Sequence, residues 1–133
     1  MNLKSQRWCQ RYSNLERAYE KLAEAAIAFD SLTTLEKEGM IQRFEYTFEL
    51  AWKTLKDFLE SQGVEASFPR EVIKSAFHYE LIIDGEIWME MLEQRNLIAH
   101  TYDEEQFNRA IELIRDRFFA AITQVFHTLG EKR

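Results

Sequence analysis

The chain has 133 residues, 46% of them hydrophobic and 14% aromatic, which supplies the core of one folded domain and excludes a disordered polypeptide. Its formal net charge of −6 excludes a protein coated with positive charge for nonspecific nucleic-acid binding, although a confined basic site is still compatible. Cys9 is a single cysteine and cannot form an internal disulfide, and no stretch resembles a signal peptide or a membrane span. We therefore expect one domain over residues 1–133, in a reducing cytoplasm and without membrane contact.

Two long amphipathic helices are predicted in the first half of the chain, over residues 5–29 and 34–62. The first is predicted by apolar residues at alternating spacings of four and three: Trp8, Tyr12, Leu15, Tyr19, Leu22, Ala26 and Phe29. Thr33 and Glu36 form a capping-box pattern at the start of the second helix. Gly39 predicts a kink in that helix or a later start, and Gly63 is a favourable stop.

The second half of the chain predicts one short and two longer helices. Pro69 suits the first turn of a short helix over residues 69–81, for which we expect a core face made of Val72, Ile73, Ala76, Phe77 and Tyr79. Asp84 can cap the helix that follows, and either Thr101 or Asp103 can cap a last helix that runs to residue 129. His78 and His127 are interpreted as structural.

These elements predict an all-α fold, an antiparallel bundle of four long helices and one short helix. The apolar faces are wider than one small bundle needs to cover, so we expect a homodimer. Glu45 and Glu49 are one turn apart and could suggest a metal site. The Glu-x-x-His pair of a carboxylate-bridged site is absent, however, so we expect neither a metal nor another cofactor.

The residues best suited to chemistry follow one another where the fourth helix should end. Arg95 shares a helical stripe with Trp88, Met91 and Ile98, so its side chain is expected beside buried groups. If the helix ends near Ala99, His100 is free to turn toward Arg95, and Tyr102 can lie on the same side as His100. An arginine fork suits phosphate and an imidazole suits proton transfer near neutral pH, so this joint is the candidate site.

Two motifs carry a resemblance to a known family. The spacing Arg95-x4-His100-x-Tyr102 resembles the signature of the HEPN superfamily of small helical nucleotide-binding domains and ribonucleases, in its HepT-like toxin branch. Upstream, residues 42–56 (QRFEYTFELAWKTLK) resemble the nucleotidyltransferase substrate-binding proteins of the same superfamily. The resemblance covers nearly the whole chain and implies a helical bundle of the nucleotidyltransferase substrate-binding (HEPN) type.

The resemblance also implies a function. HepT-like proteins are metal-independent endoribonucleases of type VII-like toxin–antitoxin pairs, which implies catalytic roles for Arg95, Asn96 and His100 at the cleft of a homodimer. It implies a minimal nucleotidyltransferase antitoxin as partner, which transfers AMP to Tyr102 and so places bulky negative charge beside the site.

Two other interpretations remain open from the sequence. In the first, the chain is a non-catalytic subunit of a two-component nucleotidyltransferase, and Arg95 and His100 hold a nucleotide or substrate phosphate. In the second, the residues are structural: Arg95 pairs with a buried glutamate such as Glu45 or Glu49, and His100 caps a helix. RNA cleavage that depends on His100 would separate the nuclease from both alternatives.

Overall fold

The computed structural model describes residues 2–98 and 103–133, without the side chains of residues 96–98. In those residues every regular element is helical. They are α1 (Leu3–Ile27), a short 3-10 turn (Phe29–Ser31), α2 (Thr34–Ser61), α3 (Pro69–His78), α4 (Gly85–Ile98), α5 (Glu104–Leu113), a π-helical turn (Ile114–Phe118) and α6 (Phe119–Glu131). Since α5, the π-helical turn and α6 follow one another directly, they form one long interrupted helix, and the predicted all-α bundle is confirmed.

Polar side chains fix where the helices begin. At the start of α2, the Glu36 backbone N–H donates to the Thr33 hydroxyl over 3.2 Å, and the Thr33 N–H donates to the Glu36 carboxylate over 2.8 Å. This reciprocal capping box confirms the predicted start of α2 and satisfies two amides that a helix end leaves open. Asp84 caps α4 as predicted, by accepting from the backbone N–H of Ile87. Of the two caps left open for the last helix, Asp103 caps α5 by accepting from the N–H of Glu105.

The core lies between α1 and α2, which pack along each other, and α6 closes it from one side. Fully buried aromatic rings join the layers: Phe44 of α2 stacks on Phe118 of the π-helical turn at 5.5 Å, and Phe48 packs on Trp88 of α4 at 5.9 Å. Helix α4 contacts α3, α5 and the π-helical turn. The contact between Phe48 and Trp88 places α4, which carries the candidate arginine, beside α2.

The predicted core face of α3 is partly wrong. Val72, Ile73 and Ala76 are buried, but Phe77 and Tyr79 are each 53% exposed. The helix ends at His78, three residues before the predicted end, and the Leu81 N–H returns to the Ala76 carbonyl over 2.8 Å. After this turn Leu81 and Ile82 lie in the core, in the place predicted for Phe77 and Tyr79.

Two further expectations about the helices differ from the structure. Helix α2 runs from Thr34 through Gly39, so the later start is wrong, while the alternative of a kink at Gly39 stays a prediction. The last helix is interrupted by the π-helical turn, whereas the spacing of apolar residues predicts one regular helix. None of the helices in the described ranges combines the length and apolar character that a membrane crossing requires.

Candidate functional site

Arg95 lies in the last turn of α4, at the border between the core and the surface. Met91 and Trp88, on the same stripe one and two turns earlier, are fully buried, whereas the Arg95 side chain is 26% exposed. The prediction that Arg95 follows the buried side of its helix is therefore confirmed. Its stem crosses the edge of the core, and its charged end lies at the contact between α4 and α2.

The guanidinium of Arg95 contacts two neighbouring residues of α2. Its Nη1 donates to Oε1 of Glu49 in a direct ion pair. Its Cζ lies 5.8 Å from the ring centroid of Phe48, within the range of a cation–π contact. Since Phe48 is fully buried, the guanidinium rests against a fixed surface of the core.

Glu49 has partners on both of its carboxylate oxygens. While Oε1 accepts from Arg95, Oε2 accepts from the indole Nε1 of Trp52 at 3.0 Å. The Nζ of Lys53, four residues further along α2, also lies 4.0 Å from Oε2. Two cations and one indole N–H thus surround one carboxylate at the border of α2 and α4.

Glu45, one turn before Glu49, lies in a different environment. Burial raises the pKa of the Glu45 carboxyl above its ordinary value, and the positive charge of Arg95 opposes that rise. Desolvation is the larger of the two effects, so the net result disfavours the charged form of the Glu45 carboxyl. Glu45 is therefore protonated more readily than an ordinary surface glutamate, while Glu49 is the direct partner of Arg95.

The structural interpretation is right in one respect, because Arg95 does pair with one of the two named glutamates. Yet both side chains are partly exposed, 26% for Arg95 and 31% for Glu49. An ion pair at the surface contributes only about 0.2–1 kcal/mol to stability. The pair therefore contributes little to the stability of the fold.

The remaining predicted site residues cannot be placed beside Arg95. The Asn96 side chain, His100 and Tyr102 lie outside the described residues, so their predicted roles stay predictions. Sequence reasoning named Glu45 and Glu49 as possible partners of Arg95 but missed the Trp52 indole. Its signal was present, since Glu49 and Trp52 are three residues apart on one helix and such pairs lie within reach.

In the described ranges, no group of three or more histidine, cysteine, aspartate or glutamate side chains is arranged to hold a metal ion. Arg95 contacts the Glu49 carboxylate and the Phe48 ring, and Glu49 in turn contacts the Trp52 indole and the Lys53 ammonium. A guanidinium held at the edge of such a cluster is suited to contact a phosphate group.

Comparison with known proteins agrees with the fold. Residues 10–131 match the family model described as "Nucleotidyltransferase substrate binding protein like". The chain therefore belongs to the nucleotidyltransferase substrate-binding protein-like family, and the resemblance to HepT-like proteins is confirmed.

Two solved structures share this fold. The chain is 34% identical to the Thermus thermophilus protein ttk003001694, whose crystal structure superimposes with a TM-score of 0.78 over 90% of this chain and 98% of that one. The Haemophilus influenzae protein HI0074, described as showing the fold of a substrate binding domain of a nucleotidyltransferase, has the same fold at 24% identity. Its TM-score is 0.75, over 90% of this chain and 98% of that one.

A curated relative from Haemophilus influenzae is named "Probable ribonuclease HepT". It is 32% identical over 73 residues, which are 51% of this chain, and the chain spans about half the length of that relative.

Proposed function

We propose that this chain is a HepT-like toxin, a metal-independent endoribonuclease that a minimal nucleotidyltransferase antitoxin controls by transferring AMP to Tyr102. The observation that supports it best is the held guanidinium of Arg95, which lies in the last turn of α4 directly before the predicted site residues Asn96, His100 and Tyr102. The relative named "Probable ribonuclease HepT" supports the same class of activity.

Cleavage without a metal needs a base and a stabilising cation. In the proposed reaction, His100 takes the proton of an RNA 2′-hydroxyl, and the 2′-oxygen attacks the adjacent phosphorus. Arg95 stabilises the negative charge of the phosphorane, and Asn96 orients the phosphate or the imidazole. The bond to the 5′-oxygen breaks, that oxygen gains a proton, and a 2′,3′-cyclic phosphate remains. A second copy of the chain in a homodimer supplies the second histidine, which acts as the acid.

The decisive experiment measures RNA cleavage by the purified chain in EDTA. We expect His100→Ala to lower the rate by at least about 100-fold, because proton transfer by a positioned side chain typically contributes 10²–10⁴-fold. His78→Ala is the matched control, since His78 is exposed on α3 and its loss should leave cleavage unchanged. A folded wild-type chain that carries no AMP and cleaves no RNA would contradict the proposal.

The proposed control by AMP can be tested separately by mass spectrometry after co-expression with a minimal nucleotidyltransferase of the same organism. We expect one added AMP group, absent from Tyr102→Phe and retained in Tyr46→Phe, which removes an exposed tyrosine of α2. The added phosphate should abolish cleavage, since it brings negative charge to a site that must accept RNA. Modification at another residue, or undiminished cleavage by the modified chain, would refute this form of control.

A second function is favoured by the family match itself. The family description names substrate binding, and its model covers residues 10–131, whereas the match to the ribonuclease relative covers about half of the chain. In this alternative the chain completes a nucleotidyltransferase and Arg95 binds a nucleotide or substrate phosphate. Nucleotide binding that is lost in Arg95→Gln, in a chain that cleaves no RNA, would support it.

A further inference from the structure

We propose that Glu49 is a positioning residue that orients Arg95 toward its phosphate, and that Trp52 fixes Glu49 in turn. The inference rests on the proposed function, since it assigns a role to Glu49 and Trp52 at the same site. It concerns residues of α2, a helix that contributes none of the predicted catalytic groups.

The first argument is the use of both carboxylate oxygens. A carboxylate bound through one oxygen can still rotate, whereas Glu49 is bound by Arg95 at Oε1 and by Trp52 Nε1 at Oε2. Trp52 is 9% exposed, so its indole is a donor fixed by packing. The packed Trp52 indole therefore restricts the Glu49 carboxylate, and the carboxylate in turn restricts the guanidinium of Arg95.

The second argument is the surface beneath the guanidinium. Phe48 lies 5.8 Å from Arg95 Cζ and is itself held against the buried ring of Trp88. Arginine normally loses much rotational freedom when it binds a ligand. Here that freedom is restricted beforehand by Phe48 on one side and by Glu49 on another, which is the arrangement expected of a preorganised phosphate-binding group.

The third argument concerns charge. A carboxylate beside Arg95 weakens its attraction for an anion, and a site that served only to attract phosphate would not contain one. Lys53 lies 4.0 Å from Glu49 and partly offsets that negative charge. The carboxylate therefore weakens the attraction of Arg95 for phosphate but fixes the direction of its guanidinium. This combination favours a role for Arg95 in stabilising the transition state over a role in initial binding of the substrate.

The test compares Glu49→Gln with Glu60→Gln. Glu60 is the matched control because it also lies on α2 and also pairs with a lysine four residues away, here Lys56 at 2.9 Å. It is about 16 Å farther along the helix, at 1.5 Å per residue, and so should not affect Arg95.

Two readouts are measured on each folded variant. The first is the ¹⁵N NMR order parameter of Arg95 Nε–H without ligand, which needs no enzymatic activity. We expect it to fall in Glu49→Gln, where the ion pair is lost but the Phe48 contact remains, and to stay high in Glu60→Gln. The second is RNA cleavage, where Glu49→Gln should lower kcat about 10- to 100-fold with a change in KM below about threefold. Trp52→Phe should lower kcat less, by about 3- to 10-fold, because Lys53 still contacts Glu49.

The possible failures are distinguishable. An Arg95 order parameter that is unchanged in Glu49→Gln would overturn the positioning role, whatever the RNA result. An equal loss of kcat in Glu60→Gln would also overturn it, because the effect would then be general to α2. Absence of cleavage by the wild type would overturn the proposed nuclease, while the NMR comparison would still decide the role of Glu49. If Glu49→Gln does not fold, Trp52→Phe provides the same two readouts.

Discussion

Glu45 and Glu49 are separated by a single helical turn, yet their carboxyl groups differ in their partners. Glu49 holds Arg95 directly, whereas Glu45 is influenced by the same arginine only through its charge, and burial dominates its pKa. Two neighbouring glutamates on one helix face therefore act differently: one fixes a cation, and the other costs stability when it is ionised.

The raised pKa of Glu45 predicts a pH dependence of stability. Because the folded state holds the Glu45 proton more tightly than the unfolded chain, the group lowers stability as pH rises from its unfolded pKa through its folded pKa. We expect Glu45→Gln to increase the free energy of unfolding relative to wild type at pH 7. The increase should disappear below about pH 4, where both states of the wild type are protonated. Urea unfolding at several pH values measures this difference.

Glu36→Gln is the control with the opposite sign. Hydrogen bonds from the Thr33 backbone and side chain lower the pKa of Glu36, so this carboxylate stabilises the fold above its unfolded pKa and loses that effect as pH falls through its folded pKa. Its substitution should lower stability at pH 7 and have less effect in acid. The same pH trend for Glu36→Gln and Glu45→Gln would contradict the assignment for Glu45.

At the level of these residues, the sequence predicts candidates for contacts but not the contacts themselves. The periodicity of α4 correctly placed Arg95 on the buried side. Glu45 and Glu49 were both named as possible partners of Arg95, and Glu49 forms the ion pair. The choice between the two glutamates as the partner of Arg95 depends on how α2 and α4 pack. No local sequence pattern predicts that geometry. The same limit applies to Phe48, whose ring could be predicted as core but not as the surface beneath a guanidinium.

Helix boundaries were predicted more accurately, because capping signals are local. The capping box of Thr33 and Glu36 and the aspartate caps at Asp84 and Asp103 all occur where the sequence placed them. The end of α3 was not predicted, since it depends on Glu80 adopting a positive φ of 63° so that Leu81 can enter the core. A glutamate in the sequence does not predict a positive φ, whereas a glycine, such as Gly63, does.

Two glycines inside helices should respond in opposite ways to alanine. At Gly130 an added Cβ would lie 2.6 Å from the hydroxyl of Tyr12, which is buried and donates to the Phe126 carbonyl at 3.1 Å. At Gly39 nothing lies within 4 Å of an added Cβ. We expect Gly130→Ala to lower the free energy of unfolding by about 1–2 kcal/mol through overpacking. We expect Gly39→Ala to raise it by about 0.5–1 kcal/mol through helix propensity.

Thermal and urea denaturation measure both changes. The double variant Tyr12→Phe with Gly130→Ala removes the hydroxyl that clashes, so it should be more stable than expected from the sum of the two single effects. Strict additivity of the two substitutions would show that the clash with Tyr12 is not the cause. A loss of stability in Gly39→Ala would show that the backbone of α2 is constrained at that position.

On the scale of the whole molecule, the net charge limits how the protein could bind nucleic acid. A formal net charge of −6 provides no general attraction for nucleic acid, so the RNA recognition proposed above would depend on confined groups such as Arg95 and Lys53. The bundle could be predicted because five amphipathic segments on 133 residues allow few other ways to bury their apolar faces. The expected homodimer stays a prediction, and with it the second histidine that the proposed reaction needs.

The π-helical turn at Ile114–Phe118 also affects how this chain can be aligned with its relatives. A turn that closes between residues five apart holds one residue more than an α-helical turn. A relative with a regular α-helix at this place would therefore have one residue fewer, and the gap would lie in the middle of a helix. Alignments usually assign gaps to loops instead. An alignment that instead places this gap just before residue 103 would shift every position from there to the π-helical turn by one. Residues 103–113 would then be compared with neighbours on the wrong face of the helix.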